Sequence, residues 1–196
     1  MRLSSLFSYC LLTAPSIVLA LPRWLSPRQC STAYASSTQI INKGFPDQSR
    51  PDDGTLAVWK DSNGTELNVL LQYTNIPANA WGCQLELFFP KDYPSLFPMY
   101  FEGNQLYVYR TNGVIQPNTS WNTAPSSAYL FGVTPAGLPQ VQPVQNDIRY
   151  IVNSAQCAPM MSFRVSIPPD TPRGGVQYFR DNPSWKNVGF RITHNC

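Results

Sequence analysis

The chain predicts an all-β fold, a two-sheet antiparallel β-sandwich of Ig-like or jelly-roll-like form, stapled by disulfides. Three observations carry this. Apolar and polar residues alternate with period two in one short run after another, the pattern of strands with one buried face. Nineteen prolines and 13% aromatic residues stand beside only 13% charged residues, a turn-dense composition that suits strands better than a helical bundle. The cysteines follow a stretch that reads as a secretory signal, so oxidised sulfur is expected to clamp the layers.

Residues 1–20 have the form of a signal peptide. Arg2 supplies the charged start, an apolar run broken by Pro15 follows, and Val18-Leu19-Ala20 is a small-residue cleavage site. The run is too short and interrupted to span a bilayer, and no later stretch approaches the roughly 18 apolar residues of a membrane helix. The mature protein is therefore expected outside the cell or in the cell wall, with no membrane span. Residues 21–30 form a flexible N-terminal segment with two readings, an uncut tail or a second cut after Arg28, where an exposed Pro27-Arg28 is open to processing proteases. Residues 31–196 are then a single β-sandwich domain, large enough to bury a substantial core. The full chain has 14 basic and 11 acidic residues, and losing Arg2, Arg23 and Arg28 with the two N-terminal segments leaves no net charge. A neutral domain without basic runs lacks the electrostatic footprint of a nucleic-acid binder.

Within the domain, residues 31–53 are rich in Ser, Asn, Gly, Pro and Asp around one apolar patch, Ile40-Ile41, and predict a short strand followed by an irregular crossing. Two β-prone runs, 55–60 and 66–73, flank Asp61-Ser62-Asn63-Gly64-Thr65, and a short Asn-Gly connection between such runs signals a hairpin. Asn63-Gly64-Thr65 is also an N-glycosylation sequon, at home on an exposed turn. Residues 83–89 form the central strand: Cys83, Leu85, Leu87 and Phe89 share one side, Gln84 and Glu86 the other, and Phe88 falls out of phase. Pro90, Pro94 and Pro98 are expected to forbid regular structure until 105–110 resumes the alternation. Residues 111–127 read as a surface loop carrying a second sequon, Asn118-Thr119-Ser120, with Trp121 directly behind it. Strands are expected at 129–133 and 148–152, joined by an extended connector at 138–146 containing Pro139 and Pro143. Further strands are expected at 162–167, 176–179 and 188–193. Eight or nine short strands, no helix and no repeat of fixed period are best accommodated by two packed sheets.

Cys10 leaves with the signal peptide, so Cys30, Cys83, Cys157 and Cys196 remain. Four cysteines in an oxidising compartment make two disulfides, with three connectivities open to sequence reasoning. Domain termini tend to lie close together, which points to Cys30 with Cys196, and Cys83 with Cys157. The second bridge would close a loop of about 75 residues and contribute about 4 to 5 kcal/mol on the chain-entropy view.

Ile76-Pro77, then Cys83-Gln84-Leu85-Glu86-Leu87-Phe88-Phe89-Pro90, then Trp121 in a Ser/Thr/Pro loop, then Cys157 ahead of Ser162-Phe163-Arg164-Val165, resembles a family of secreted fungal proteins named ubiquitin-three-binding protein, C-terminal domain. The resemblance covers about 55–196. It implies a β-sandwich, a fungal source, no established activity and a bridge between Cys83 and Cys157. The signal peptide directs this chain away from cytosolic ubiquitin.

No catalytic, cofactor or metal motif stands out. His194 is the only histidine and reads as a surface residue, and Gly-x-Ser-x-Gly does not occur, so the elements of a serine hydrolase are missing. Paired cysteines are not thiolates, and one imidazole does not build a zinc or copper site. A glycosidase needs only two carboxylates, which keeps that reading open. Glu86 is its most interesting candidate, set against the plainer expectation of an ion pair with Arg164 or Arg191 across the sheet. The remaining reading is a non-enzymatic binding or structural role at the cell wall or on a host or substrate surface: Tyr107, Tyr109, Phe88 and Trp121 are candidate ligand-binding aromatics, able to stack on a glycan or on side chains of a cell-surface protein. The alternative is that loops cover them as a minor core.

Overall fold

A computed structural model describes residues 30–93, 97–100, 105–136, 143–179 and 187–196. The signal peptide, the cleavage point after Arg28, Glu102, Asp181 and part of the 138–146 connector lie outside these residues. The described chain forms thirteen strands: β1 Ser31–Tyr34, β2 Ser37–Asn42, β3 Ser49–Arg50, β4 Thr55–Lys60, β5 Glu66–Tyr73, β6 Cys83–Phe89, β7 Phe97–Tyr100, β8 Tyr107–Thr111, β9 Ser127–Val133, β10 Ile148–Ala155, β11 Met161–Ser166, β12 Gly174–Phe179 and β13 Gly189–His194. They make two antiparallel sheets. The small one has the order β1-β13-β6-β10; the large one runs β7-β12-β4-β5-β11-β8-β9, with β2 added to β5 and β3 to β2.

The alternation read from the sequence sets which side chains meet between the layers. In β6, Leu85, Leu87 and Phe89 are buried, and β13 adds Phe190 and Ile192 beside them. The large sheet answers with Val69, Leu71 and Tyr73 from β5 and Phe163 and Val165 from β11, all in one core cluster. Aromatic rings bridge the layers: Phe89 of β6 meets Tyr178 of β12 edge to face, with centroids 5.4 Å apart. The β4–β5 hairpin closes as its sequence predicts. The Asp61 carboxylate accepts from the backbone N–H groups of Asn63 and Thr65, and Gly64 takes φ +84°, a conformation that favours glycine.

Both expected disulfides are present. Cys83 and Cys157 have Cα atoms 5.1 Å apart, and the bridge pins the crossing from β10 in the small sheet to β11 in the large one. Cys30 and Cys196, with Cα atoms 4.5 Å apart, close the end of the β1–β13 pair, where Ser31 lies opposite His194.

Three expectations are corrected. Residues 31–53 are not one short strand and an irregular crossing but β1, β2 and β3; β1 buries only Ala33 and is held by main-chain pairing to β13, which leaves little apolar signal. The proline-rich stretch contains β7, a strand in spite of Pro98. It lies at the end of the large sheet, pairs with β12 alone, and has an irregular register there, the setting in which a residue without an N–H is tolerated. His194 is not a surface residue: it is 4% exposed, on the same inward side of β13 as Ile192.

Candidate binding site

Two outward sheet faces carry the residues singled out above. On the small sheet, Glu86 projects from β6 away from the core yet is fully shielded from solvent. Arg191, its cross-strand neighbour on β13, donates from Nε to Oε1 at 2.6 Å. Arg149 of β10 donates from Nε to Oε2, and its Nη2 reaches Oγ1 of Thr193 at 3.3 Å. Arg191 also lies 3.6 Å from the centroid of the Phe88 ring. The carboxylate therefore has a guanidinium on each oxygen, and a ring face of Phe88 is covered. The ion pair expected for Glu86 forms with Arg191 and not with Arg164, because β11 belongs to the other sheet; Arg149 takes that second place.

The outer face of the large sheet is different. Residues 112–126 form the expected surface loop between β8 and β9, with most of its residues exposed, and the loop folds back over this face. Ile115 packs with Ile41 of β2 and Leu70 of β5 in a second apolar cluster, with Trp121 and Ala124 against it. The Ile115 N–H donates to Oε1 of Gln72 at 2.7 Å, and Asn122 donates from its backbone N–H to the Pro46 carbonyl and from Nδ2 to Asp47. Buried apolar contacts at one end and polar ties at the other hold the loop down.

Beside this covered area is a cavity of about 350 Å³, within the range of small-ligand sites. Asn68 of β5, Arg164 and Ser166 of β11 and Tyr109 of β8 line it, since these three strands are neighbours and Arg164 lies in register between Leu70 and Tyr109. Lys43, Lys60 and Glu66 close the side next to the hairpin. Arg164 stacks on Trp121 with its guanidinium 4.4 Å from the ring centroid. Burial pulls its pKa below the ordinary arginine value, while Glu66 and Tyr109 act the other way. For the Tyr109 phenol, burial, then the neighbouring Tyr107 and Glu66, push the pKa up against the pull of Arg164, so it is a neutral hydroxyl at physiological pH. Glu66 has a lysine partner, with Lys43 Nζ 4.0 Å from Oε2, and Lys60 Nζ donates to the Pro169 carbonyl at 2.7 Å. Among the described residues no carboxylate forms an ion pair with Arg164.

The four candidate aromatics are thus divided. Tyr107 and Tyr109 do share the outer face of the large sheet, half-buried, with centroids 6.4 Å apart. Trp121 comes to the same face from the loop, and Phe88 sits on the other sheet beneath Arg191. The asparagines of both sequons are exposed, Asn63 at the hairpin tip and Asn118 in the covering loop, whereas Thr119 and Ser120 of the second are buried. Sequence reasoning missed Asn68, Arg164 and the two lysines as a group. The outward position of Arg164 was readable from Phe163 and Val165 pointing inward, but the adjacency of β5, β11 and β8 leaves no local trace. No family model matches the chain, and no curated protein does either.

Proposed function

We propose that this is a secreted fungal β-sandwich protein, N-glycosylated at Asn63 and Asn118, that binds a glycan or a cell-surface protein at the cell wall or on a host or substrate surface without transforming it. The cavity on the large sheet is its binding site. One observation carries this reading: among the described residues, the cavity offers a guanidinium without an ion-pair partner together with hydroxyl and carboxamide groups, but a single carboxylate, Glu66. A glycosidase works with two carboxylates about 5 to 10 Å apart. Glu86, the earlier candidate for that role, has both oxygens taken by arginines and no solvent access, so a substrate oxygen has no approach to it. The two disulfides and the signal sequence support an extracellular place for the molecule. Incubation with wall polysaccharides tests the reading. Retention without new reducing ends is the expected result; reducing ends that appear with the parent protein and vanish with Glu66→Gln would overturn it.

A further inference from the structure

We propose, building on the binding reading above, that the cavity receives an acidic sugar: a hexuronate unit whose carboxylate is held by Arg164 and whose neighbouring hydroxyl donates to Oδ1 of Asn68. Arg164 is half-buried, stacked on Trp121, and without an ion pair among the described residues, whereas Arg149 and Arg191 share Glu86 and Arg50 holds Asp53. A guanidinium drawn partly out of water, which feels the Glu66 charge but makes no ion pair with a described residue, favours an incoming anion, and its fork suits a planar carboxylate. Three cations and one carboxylate line the cavity. Asn68 is 1% exposed, and its Oδ1 accepts no hydrogen bond from any described residue. A buried acceptor of this kind selects a ligand that brings a donor.

The site thus asks for an anion and a hydroxyl side by side, the pairing a uronic acid displays. A phosphate or sulfate ester is the competing anion, because Lys60 keeps its charge while donating to the Pro169 carbonyl, and a sulfated glycan that binds more tightly than every uronate would overturn the proposal. An acidic peptide fits less well because the cavity lies on a sheet face lined by side chains, away from the main-chain groups an added strand would use. Ser166, Ser127 and the Tyr109 phenol supply further hydroxyl partners around the ring.

Titration calorimetry with oligomers of galacturonate, glucuronate and mannuronate, their methyl esters, a sulfated glycan, neutral glucans and a polyglutamate peptide tests this. One of the uronates is expected to bind, its ester about 10- to 100-fold more weakly, in line with the loss of a charged hydrogen bond. Arg164→Gln is expected to weaken the acid by a similar factor and leave the ester unchanged. Asn68→Asp, which sets a carboxylate in the floor, is expected to abolish uronate binding, and it decides the matter should Arg164→Gln lose its fold in thermal unfolding. Equal binding of acid and ester, indifference to both substitutions, or polyglutamate binding as tightly as the uronate would overturn the proposal. A neutral glucan that binds where no uronate does defeats the acidic ligand and leaves the binding function standing. Failure of every glycan defeats the acidic-sugar ligand and leaves a cell-surface protein as the partner of the binding function.

Discussion

At the scale of single residues, Glu86 illustrates how much depends on a partner being present. A carboxylate out of reach of water is tolerable in β6 because Arg149 and Arg191 each supply a charged donor. Glu86→Gln leaves two guanidinium groups facing each other beside an amide. It is expected to destabilise the fold by about 3 to 5 kcal/mol in urea unfolding. Arg149→Ala should cost about 1 kcal/mol or less, because 43% of that side chain is exposed and Arg191 remains on the carboxylate. Asp53 gives a pH signature of opposite emphasis, on the surface. Partial burial acts to raise its pKa, but the Arg50 guanidinium at 2.7 Å and the Thr55 N–H outweigh it and hold the carboxyl below the usual carboxylate value. A depressed folded-state pKa contributes stability that is present above the unfolded value, about 4, and is lost as pH falls through the folded one. The difference in urea midpoint between the parent protein and Asp53→Asn is therefore expected to be constant from about pH 5 to 8 and to shrink below about pH 4.

At the scale of elements, the covering loop is the piece on which the site depends. Ile115 is 3% exposed, and its contacts with Ile41 and Leu70 anchor the segment that brings Trp121 against Arg164. Ile115→Ala is expected to cost about 2 to 3 kcal/mol and to open residues 112–126 to limited proteolysis ahead of the rest of the chain. Elements with an apolar face were legible in the sequence: β5, β6, β11 and β13 follow from Val69, Leu85, Phe163 and Ile192 and their neighbours two residues away. β1, β3 and β7 were not, since Ser31, Ser49 and Pro98 sit in strands defined by main-chain pairing with distant partners. The same limit hid the site. Tyr109 and Arg164 are 55 positions apart in the numbering and become opposite partners only through the β8–β11 pairing. The loop 112–126 has the polar, proline-bearing composition of an exposed segment; only Ile115 and Trp121 hint that it has a side to bury.

At the scale of the whole molecule, the disulfides were legible because four cysteines and the nearness of domain ends leave few pairings. The Cys83–Cys157 bridge spans 74 positions and joins the central strand of one sheet to the crossing into the other. Its removal by a Cys83→Ser, Cys157→Ser double substitution is expected to lower stability by about 4 kcal/mol, read from the shift in denaturant midpoint at constant slope. A different join closes the sandwich opposite. Gly132 of β9 comes so near β10 that a Cβ there would lie 2.6 Å from the Val152 carbonyl oxygen, and Asn153 of β10 donates from Nδ2 to the Phe131 carbonyl. β9 and β10 are the terminal strands of their sheets, and a terminal strand with free main-chain groups recruits other chains. The close approach at Gly132 leaves no room for a methyl group where these two margins meet. Gly132→Val, which wedges the margins apart, is expected to elute from a sizing column as oligomers where the parent does not.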